Sequence, residues 1–406
     1  MALSLTTADA ALKEDYQPTI REQLNTAYML LSQIERNSRD TEGRRAILSL
    51  HVSRNEGVGA RVENADLPAA GNQGYVEERV PLRYNYGRIQ ISGPVIRAMK
   101  SDSGSFTRAV DSESRGIVQD LKRDVNRQLW GTADGVIAAT GVTTASTTVV
   151  LAATTSAVQL RHINVGMLVD IGTVADPDAV AAARSVVSVN RAAKTFVISG
   201  AAVTTAATDR VFRAGAGGNA PQAELTGIQK IVDDAGTLFN VDPTVNDVWK
   251  STVLPGAVPG TPEDVTDVRL ATLMDEAGIA SGQGPGSLLV ASFGVVRNYA
   301  ASLTAQKRFN DTVELKGGWK GVEVNSSSGT ATLTADMDAP VNKVFLLSLP
   351  NLTFFEESDW EFMDEDGAVL SRVSGKDAYE ATLFKYAELA TDKRNAHAVL
   401  EDAEES

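Results

Sequence analysis

Residues 79–92, RVPLRYNYGRIQIS, constrain the fold more than any other stretch of the chain. Val80, Leu82, Tyr84 and Tyr86 fall on one parity, and Arg79, Arg83 and Asn85 on the other. A period of two with one apolar and one basic face marks a half-buried strand. The apolar line reaches Ile89 and Ile91 only if the register slips at Gly87, which predicts a bulge or bend at that glycine. Upstream, AILSLHVSR alternates too, with Leu48, Leu50 and Val52 on one side and Ser49, His51 and Ser53 on the other. Between the two lies ENADLPAAGNQG, rich in turn formers. Residues 46–92 therefore predict one long two-stranded hairpin. A lone hairpin is at best marginally stable in water, and little of the adjoining sequence can cover so long an apolar strip. Its face needs a partner. Arginines interleaved with aromatics suit nucleic acid; they suit equally a second protein, or a face that is simply solvated.

Charge narrows this choice. The net charge is −14, but it is unevenly spread. Residues 1–130 carry 18 basic and 17 acidic side chains, whereas the remaining 276 carry 20 and 35. Among the 18, only Lys13, Lys100 and Lys122 are lysine. Arginine is the better partner for bidentate contact with carboxylates. An Arg-rich front and an acidic back predict attraction between copies, and the acid excess argues against tight binding of nucleic acid by the whole chain. With 43% hydrophobic and 22% charged residues the composition is that of an ordinary globular protein. No apolar run approaches the roughly 18 residues of a membrane helix. The N-terminal stretch lacks a signal-peptide pattern, and the absence of cysteine excludes disulfide and thiolate chemistry. These features together predict folding in a cytoplasm.

After the ribbon, SGSFTRAVDSESRGIVQDLKRDVNRQLWG keeps Phe106, Val110, Ile117, Leu121, Val125 and Leu129 on one stripe, predicting a long amphipathic helix that ends at Gly131. Residues 136–218 change character, with short β-branched runs separated by Gly, Asp and Asn. They predict a small all-β module inserted as a unit. Beyond it, TPEDVTDVRLATLMDEAG has helix start and stop signals, GSLLVAS reads as a buried strand, FGVVRNYAASL as a helix and VNKVFLLSLPNLTFFE as a strand segment. A polar arm with a helix starting near Pro18 precedes all of this.

Signals for chemistry are sparse. His51, His162 and His397 show no ligand spacing, and neither GAGGN nor GQGPG continues into the Lys-Ser/Thr of a phosphate loop. ESDWEFMDEDG gathers Glu356, Glu357, Asp359, Glu361, Asp364, Glu365 and Asp366. The spacing fails the calcium-loop pattern, and DEDG fits a charged hairpin turn. No catalytic residue, metal site or cofactor is expected.

Three stretches, in this order, carry a resemblance: IQISGPVIRAMKSDSGSFTRAVDSESRGIVQDLKRDVNRQLWGTADG, LTGIQKIVDDAGTLF, and DWEFMDEDGAVLSRVSGKDAYEATLFKYAELATDKRNAHAVL. With the arm and hairpin before them, the chain resembles the major capsid proteins of tailed bacteriophages, whose Hong Kong 97-type fold encapsulins share. The resemblance implies an α+β chain with 1–45 as the N-terminal arm and 46–92 as the extended loop. Residues 93–135 would be peripheral domain with the spine helix, 136–218 the inserted module and 219–240 peripheral domain again. Residues 241–355 would form the axial domain, 356–390 further peripheral strands, and 391–406 the return to the axial domain. It implies a non-enzymatic subunit of an icosahedral head, built from hexamers and pentamers around double-stranded DNA and assembled in the host bacterial cytoplasm. Portal, scaffolding and cement proteins would be its partners, with no membrane involved. In that setting Val80, Leu82, Tyr84 and Tyr86 would face a neighbour. Arg79, Arg83 and Arg88 would meet Glu356, Glu357, Asp359, Glu361, Asp364 or Asp366 in trans. No lysine lies between Lys13 and Lys100, so isopeptide bonding from the loop, known in some members, cannot run here. The alternatives are an encapsulin-like compartment shell, a β-rich glycosidase using the 356–366 carboxylates, and a tail or adhesion protein.

Overall fold

The computed structural model describes residues 29–38, 41, 42, 45–94, 103–218, 222–305, 312–315, 320–364 and 369–405. Of the helix expected from Pro18 onward, only α1 (Met29–Gln33) falls within them; Met29, Leu30 and Leu31 are buried. Three short and long strands follow: β1 (Glu35–Asn37), β2 (Thr41–Glu42) and β3 (Arg45–Ser53). β3 pairs antiparallel with β4 (Gly74–Pro81), from Arg45 opposite Pro81 to Ser53 opposite Gly74. This is the hairpin, and it is shorter than the pattern predicts. Pro81 has no N–H to continue the ladder, and the next strand, β5 (Arg83–Ser92), takes a different partner.

The inward parity therefore changes at Leu82, not at Gly87. Val80 and Leu82 are buried, but Tyr84 and Tyr86 point outward, while Gly87, Ile89 and Ile91 face the core. Gly87 has another role. A Cβ there would stand 2.7 Å from Leu121 Cδ1 and 2.9 Å from Ile117 Cγ1. Both residues belong to α2 (Ser103–Leu129), a 27-residue helix about 40 Å long at 1.5 Å per residue. The glycine lets strand and helix approach closely.

Beyond α2 come β6 (Val136–Ala139), β7 (Thr143–Ser146), β8 (Thr148–Val150), α3 (Ala157–Arg161), β9 (Leu168–Gly172), β10 (Ala181–Asn190), β11 (Thr195–Ile198), β12 (Val203–Thr205) and β13 (Arg210–Arg213). Six of these strands form an antiparallel sheet in the order β6-β13-β9-β10-β11-β8. Its two ends meet: Thr140 bridges Leu151, Gly141 N–H donates to Val150 O at 2.8 Å and Ala152 N–H to Ala139 O at 2.9 Å. The sheet thus closes into a barrel around Val149, Ile163, Val169, Ile171, Phe196 and Val211, with β7 and β12 paired as a separate ribbon. Entry and exit adjoin, Gly218 N–H donating to Asp134 O at 2.9 Å. Gly135, at φ +76°, turns the chain where a Cβ would lie 2.6 Å from Ala216 O.

The chain then forms α4 (Ile228–Ile231), β14 (Thr252–Leu254), α5 (Asp267–Ser281), β15 (Leu288–Ala291), α6 (Phe293–Ala305), β16 (Thr312–Glu314), β17 (Lys320–Asn325), β18 (Thr330–Ala335) and β19 (Val344–Leu347). The α5 cap is Thr266, whose side chain accepts from Arg269 N, and the helix runs through Gly278 to close at Gly282; the sequence signals suggest a span bounded nearer Thr261 and Gly278. β14 to β19 and the final β24 (Ala398–Leu400) make a mixed sheet, β14-β24-β19-β15-β18-β17-β16. Alternation along β15 and β19 serves two cores. Leu289, Ala291, Val344 and Leu346 pack with α5 and α6, while Leu288, Val290, Phe345 and Leu347 join the core of Trp130 and Trp249.

The second sheet receives β20 (Leu352–Glu356), β21 (Glu361–Phe362), β22 (Ser371–Arg372) and the 14-residue β23 (Ala378–Thr391). β23 is its axis, with β5 along one edge and β20, β21 and β22 in turn along the other; β1 adds parallel to β20. The segment VNKVFLLSLPNLTFFE is thus two strands in two sheets. The turn at Leu349–Asn351, with Pro350 inside it, carries the chain from one to the other. The passage between the sheets falls there rather than at residue 356.

Candidate functional site: surfaces of the hairpin and the sheet of β23

The residues singled out in the ribbon divide into two groups. Val80 and Leu82 are consumed by the chain's own core. Arg83 is mostly buried and fully engaged: Nε donates to Glu388 at 3.1 Å, and the terminal nitrogens to Gln222 O and Oε1, each at 2.7 Å. Glu388 is completely buried and also accepts from Thr226 N at 2.6 Å and Leu389 N at 3.1 Å. Burial raises its carboxyl to about 7, against the opposing pull of Arg83. A solvated role for Arg83 is therefore incompatible with its setting. Arg79 and Arg88 remain half exposed, paired with Glu77 at 2.8 Å and with Glu380, respectively. Tyr84 and Tyr86 stand on the outer face of the sheet against Tyr386, with ring centres 4.8 and 6.2 Å away.

The expected carboxylates have their own cation. Glu356 lies 2.5 Å and Asp359 3.3 Å from Lys385 Nζ. This lysine is buried in β23 between the rings of Phe354 and Trp360. Such an arrangement holds the loop after β20 against the sheet. It is not two acids facing each other across an open cleft, the geometry a glycosidase needs. Glu357 is exposed, its N–H donating to Tyr386 O. Glu361 opens β21 and Asp364 follows it, whereas Asp366 lies outside the described residues. Among the described residues, no three His, Asp or Glu side chains gather in a way that could hold a metal.

The three histidines serve structural contacts. His51 sits against Tyr75 on the hairpin. His397 is fully buried, with Nδ1 accepting from Ser348 N at 3.2 Å and Nε2 2.9 Å from Thr391 Oγ1; burial lowers it to about 3. His162 lies 2.8 Å from Asp338 and is likewise lowered to about 3, first by burial and then by Arg127 and Arg161.

Several buried charges escape motif inspection. Arg127 of α2 donates to Glu224 at 2.5 and 2.9 Å and to Asp124 at 3.1 and 3.3 Å, and Arg213 of the barrel joins Asp124 at 3.3 Å. Arg161 and His162 meet Asp338, itself bonded to Asn126 at 2.5 Å. Helix, barrel and mixed sheet are joined by this network. Arg394 is wholly buried and donates to five backbone carbonyls: Lys230, Ile231, Ala235, Gly236 and Trp249. Glu78 is wholly buried too, without a partner for either oxygen among the described residues. Strand parity marks two of them. Glu78 shares the inward line of Val76 and Val80, and Lys385 that of Leu383 and Ala387.

The assembled fold combines four parts around one long helix. It has a projecting hairpin, a long helix beneath a sheet built on β23, a second mixed sheet, and an inserted barrel. The structure is similar to one chain of the cyanophage A-1(L) capsid asymmetric unit, with a TM-score of 0.55, 13% identity, and coverage of 92% of this chain and 90% of that one. The chain has the fold of that phage capsid protein. Also similar are an encapsulin complex from Synechococcus elongatus (TM-score 0.47, 11% identity, 92% and 87% covered) and the capsid of a native GTA particle (0.46, 11%, 93% and 91%). No family model matches the sequence, and no curated protein does.

Proposed function

We propose that the chain is the major capsid protein of a tailed bacteriophage, a Hong Kong 97-type subunit forming hexamers and pentamers of an icosahedral head around double-stranded DNA. The observation carrying this reading is the hairpin. Its base is pinned by β2, Val80 and Leu82, but residues 54–73 project with Val58, Val62 and Leu67 at least 80% exposed. Apolar side chains held out on a tip are suited to a neighbouring subunit. With no lysine between Lys13 and Lys100, this loop offers a neighbour no amine for an isopeptide bond. Arg79 and Arg88, half exposed though paired with Glu77 and Glu380, are better placed than the buried Arg83 to reach a neighbour's carboxylates. Portal, scaffolding and cement proteins are the partners this role implies.

The test is electron microscopy of the full chain expressed alone and purified by size exclusion, then again with the hairpin tip altered by Leu67→Asp and Val62→Asp. Closed shells or hexamer rings from the first, lost in the second while the circular dichroism spectrum is kept, are expected. A monodisperse monomer at high concentration, unaltered by any co-expressed scaffold, would refute the reading. Shells that package proteins but never DNA in an infected host would favour a compartment instead.

A further inference from the structure

A cleft of about 1020 Å³ opens between α2 and the inserted barrel. Lys122 and Arg123 line it from the helix, and Arg161, Arg191 and Arg213 from the barrel. Two carboxylates lie among them, Asp120 and Asp124. Asp124 is already occupied, accepting from Arg127 and Gln128 and pairing with Arg213. Arg161 is drawn to Asp338 but stays 42% exposed, and among the described residues Arg191 reaches only Asn164 Oδ1, at 3.4 Å. Lys122 and Arg123 have neither an ion pair nor a side-chain hydrogen bond among the described residues. Burial holds the Lys122 ammonium below its ordinary range with no carboxylate to offset it. A partly desolvated, unpaired ammonium in a basic cleft lacks its counter-charge.

We propose that this cleft receives an acidic surface of a second copy of the chain, the carboxylates pairing with Lys122, Arg123 and Arg191. Complementarity argues for this occupant, because residues 131–406 carry 35 acidic against 20 basic side chains, an excess of carboxylates that every copy brings. The cleft's composition points the same way. Asp120 and the apolar Val165, Met167 and Met337 share its walls; they suit a mixed protein surface better than a phosphodiester backbone, which seeks cations throughout. Opposite charges at such a contact set partner choice and encounter rate. The inference rests on the shell reading, since a second copy can be the occupant only if copies associate.

Zero-length carbodiimide coupling of the full, assembled chain tests it. The covalent dimer and monomer bands are separated and digested, and their cross-linked peptides sequenced. A Lys122–carboxylate linkage in the dimer band, missing from the monomer band and abolished by Lys122→Arg, is expected. The pair Lys122→Glu and Arg123→Glu should lower assembly yield by about tenfold, the equivalent of roughly 1.4 kcal/mol, with an unchanged Tm. Dimers linked only through other lysines, or an unchanged yield in the double variant, overturn the cleft assignment and leave the shell reading standing. No covalent dimer, with a monomer by size exclusion, overturns both. Protection of Lys122 from acetylation by added duplex DNA but not by assembly assigns the cleft to DNA and also overturns the proposal.

Discussion

Replacing Glu78 with leucine should stabilise the protein, and by an amount that depends on pH. Glu78 stands on β4 opposite Leu48, on the inward parity, with no exposed surface. Burial, aided by the nearby Asp392, raises its carboxyl from the usual 4.5 to about 9. The folded protein therefore holds a proton that the unfolded chain has released. A raised folded value means the full contribution is present below pH 4.5 and is lost as pH climbs toward 9. Each pH unit between those limits removes about 1.4 kcal/mol, so at pH 7 the glutamate costs about 3 kcal/mol relative to pH 4.5. Leucine fills similar volume without an unbonded polar group. Amide hydrogen exchange of the β3–β4 ladder, read as the difference between wild type and Glu78→Leu, cancels the titration of every other group. The expected difference is small at pH 5, about 3 kcal/mol at pH 7 and larger at pH 8.5. Parallel profiles for the two proteins would refute the reasoning, showing that Glu78 ionises freely in the fold. Glu78→Gln should remove the pH dependence as well, with a smaller gain because the amide is still unbonded.

Other buried groups give sharper losses. Arg394→Met strips the donors from five carbonyls and should lower stability by about 3–5 kcal/mol in urea unfolding; a cost below 1 kcal/mol would mean water replaces the guanidinium. Arg83→Met leaves Glu388 buried and unpaired, also about 3–5 kcal/mol at pH 8. That loss should shrink as pH falls toward about 7 and level off below it, because without the pull of Arg83 the carboxyl takes up its proton at a higher pH than in the wild type. Gly87→Val forces Leu121 and Ile117 of α2 aside and should cost about 1–3 kcal/mol by thermal melting, whereas Gly87→Ala, adding one carbon against the same two side chains, should cost less.

The helix α2 is legible because its apolar stripe recurs at spacings of four and seven from Phe106 to Leu129, and the barrel because β-branched runs recur between turn formers. The ribbon misled for a physical reason. Tyrosines are amphipathic and sit equally well on an outer face, so Tyr84 and Tyr86 continue the apolar parity of Val80 and Leu82 in the sequence, whereas in the fold they stand edge-on to Tyr386 on the outer face. The informative residue was Pro81, which ends the pairing with β3 and sends β5 to β23. Pro350 acts similarly between β19 and β20. Of the candidate site, the arginines and carboxylates were visible as residue types, but their partners were not. Arg83 meets Glu388 across 305 positions and Arg88 meets Glu380 across 292. Lys385, which gathers Glu356 and Asp359, sits in its strand between the inward Leu383 and Ala387. Composition cannot announce such a pairing; only the fold brings it together.

The barrel enters and leaves the body at one point, where Gly218 and Asp134 are joined by a backbone hydrogen bond. Its sheet is closed and its core is its own. In the grammar of the chain it is a parenthesis: the sentence reads on if it is struck out. Shortening residues 136–217 to a tight turn keeps the chain path continuous from α2 to the strands after it, provided that Asp124 and Asp338, which lose Arg213, Arg161 and His162, are neutralised with it; a foreign domain with adjacent termini can be written into the same place. The subunit thus offers a cassette position, where a surface feature can be exchanged without redrawing the frame that carries it.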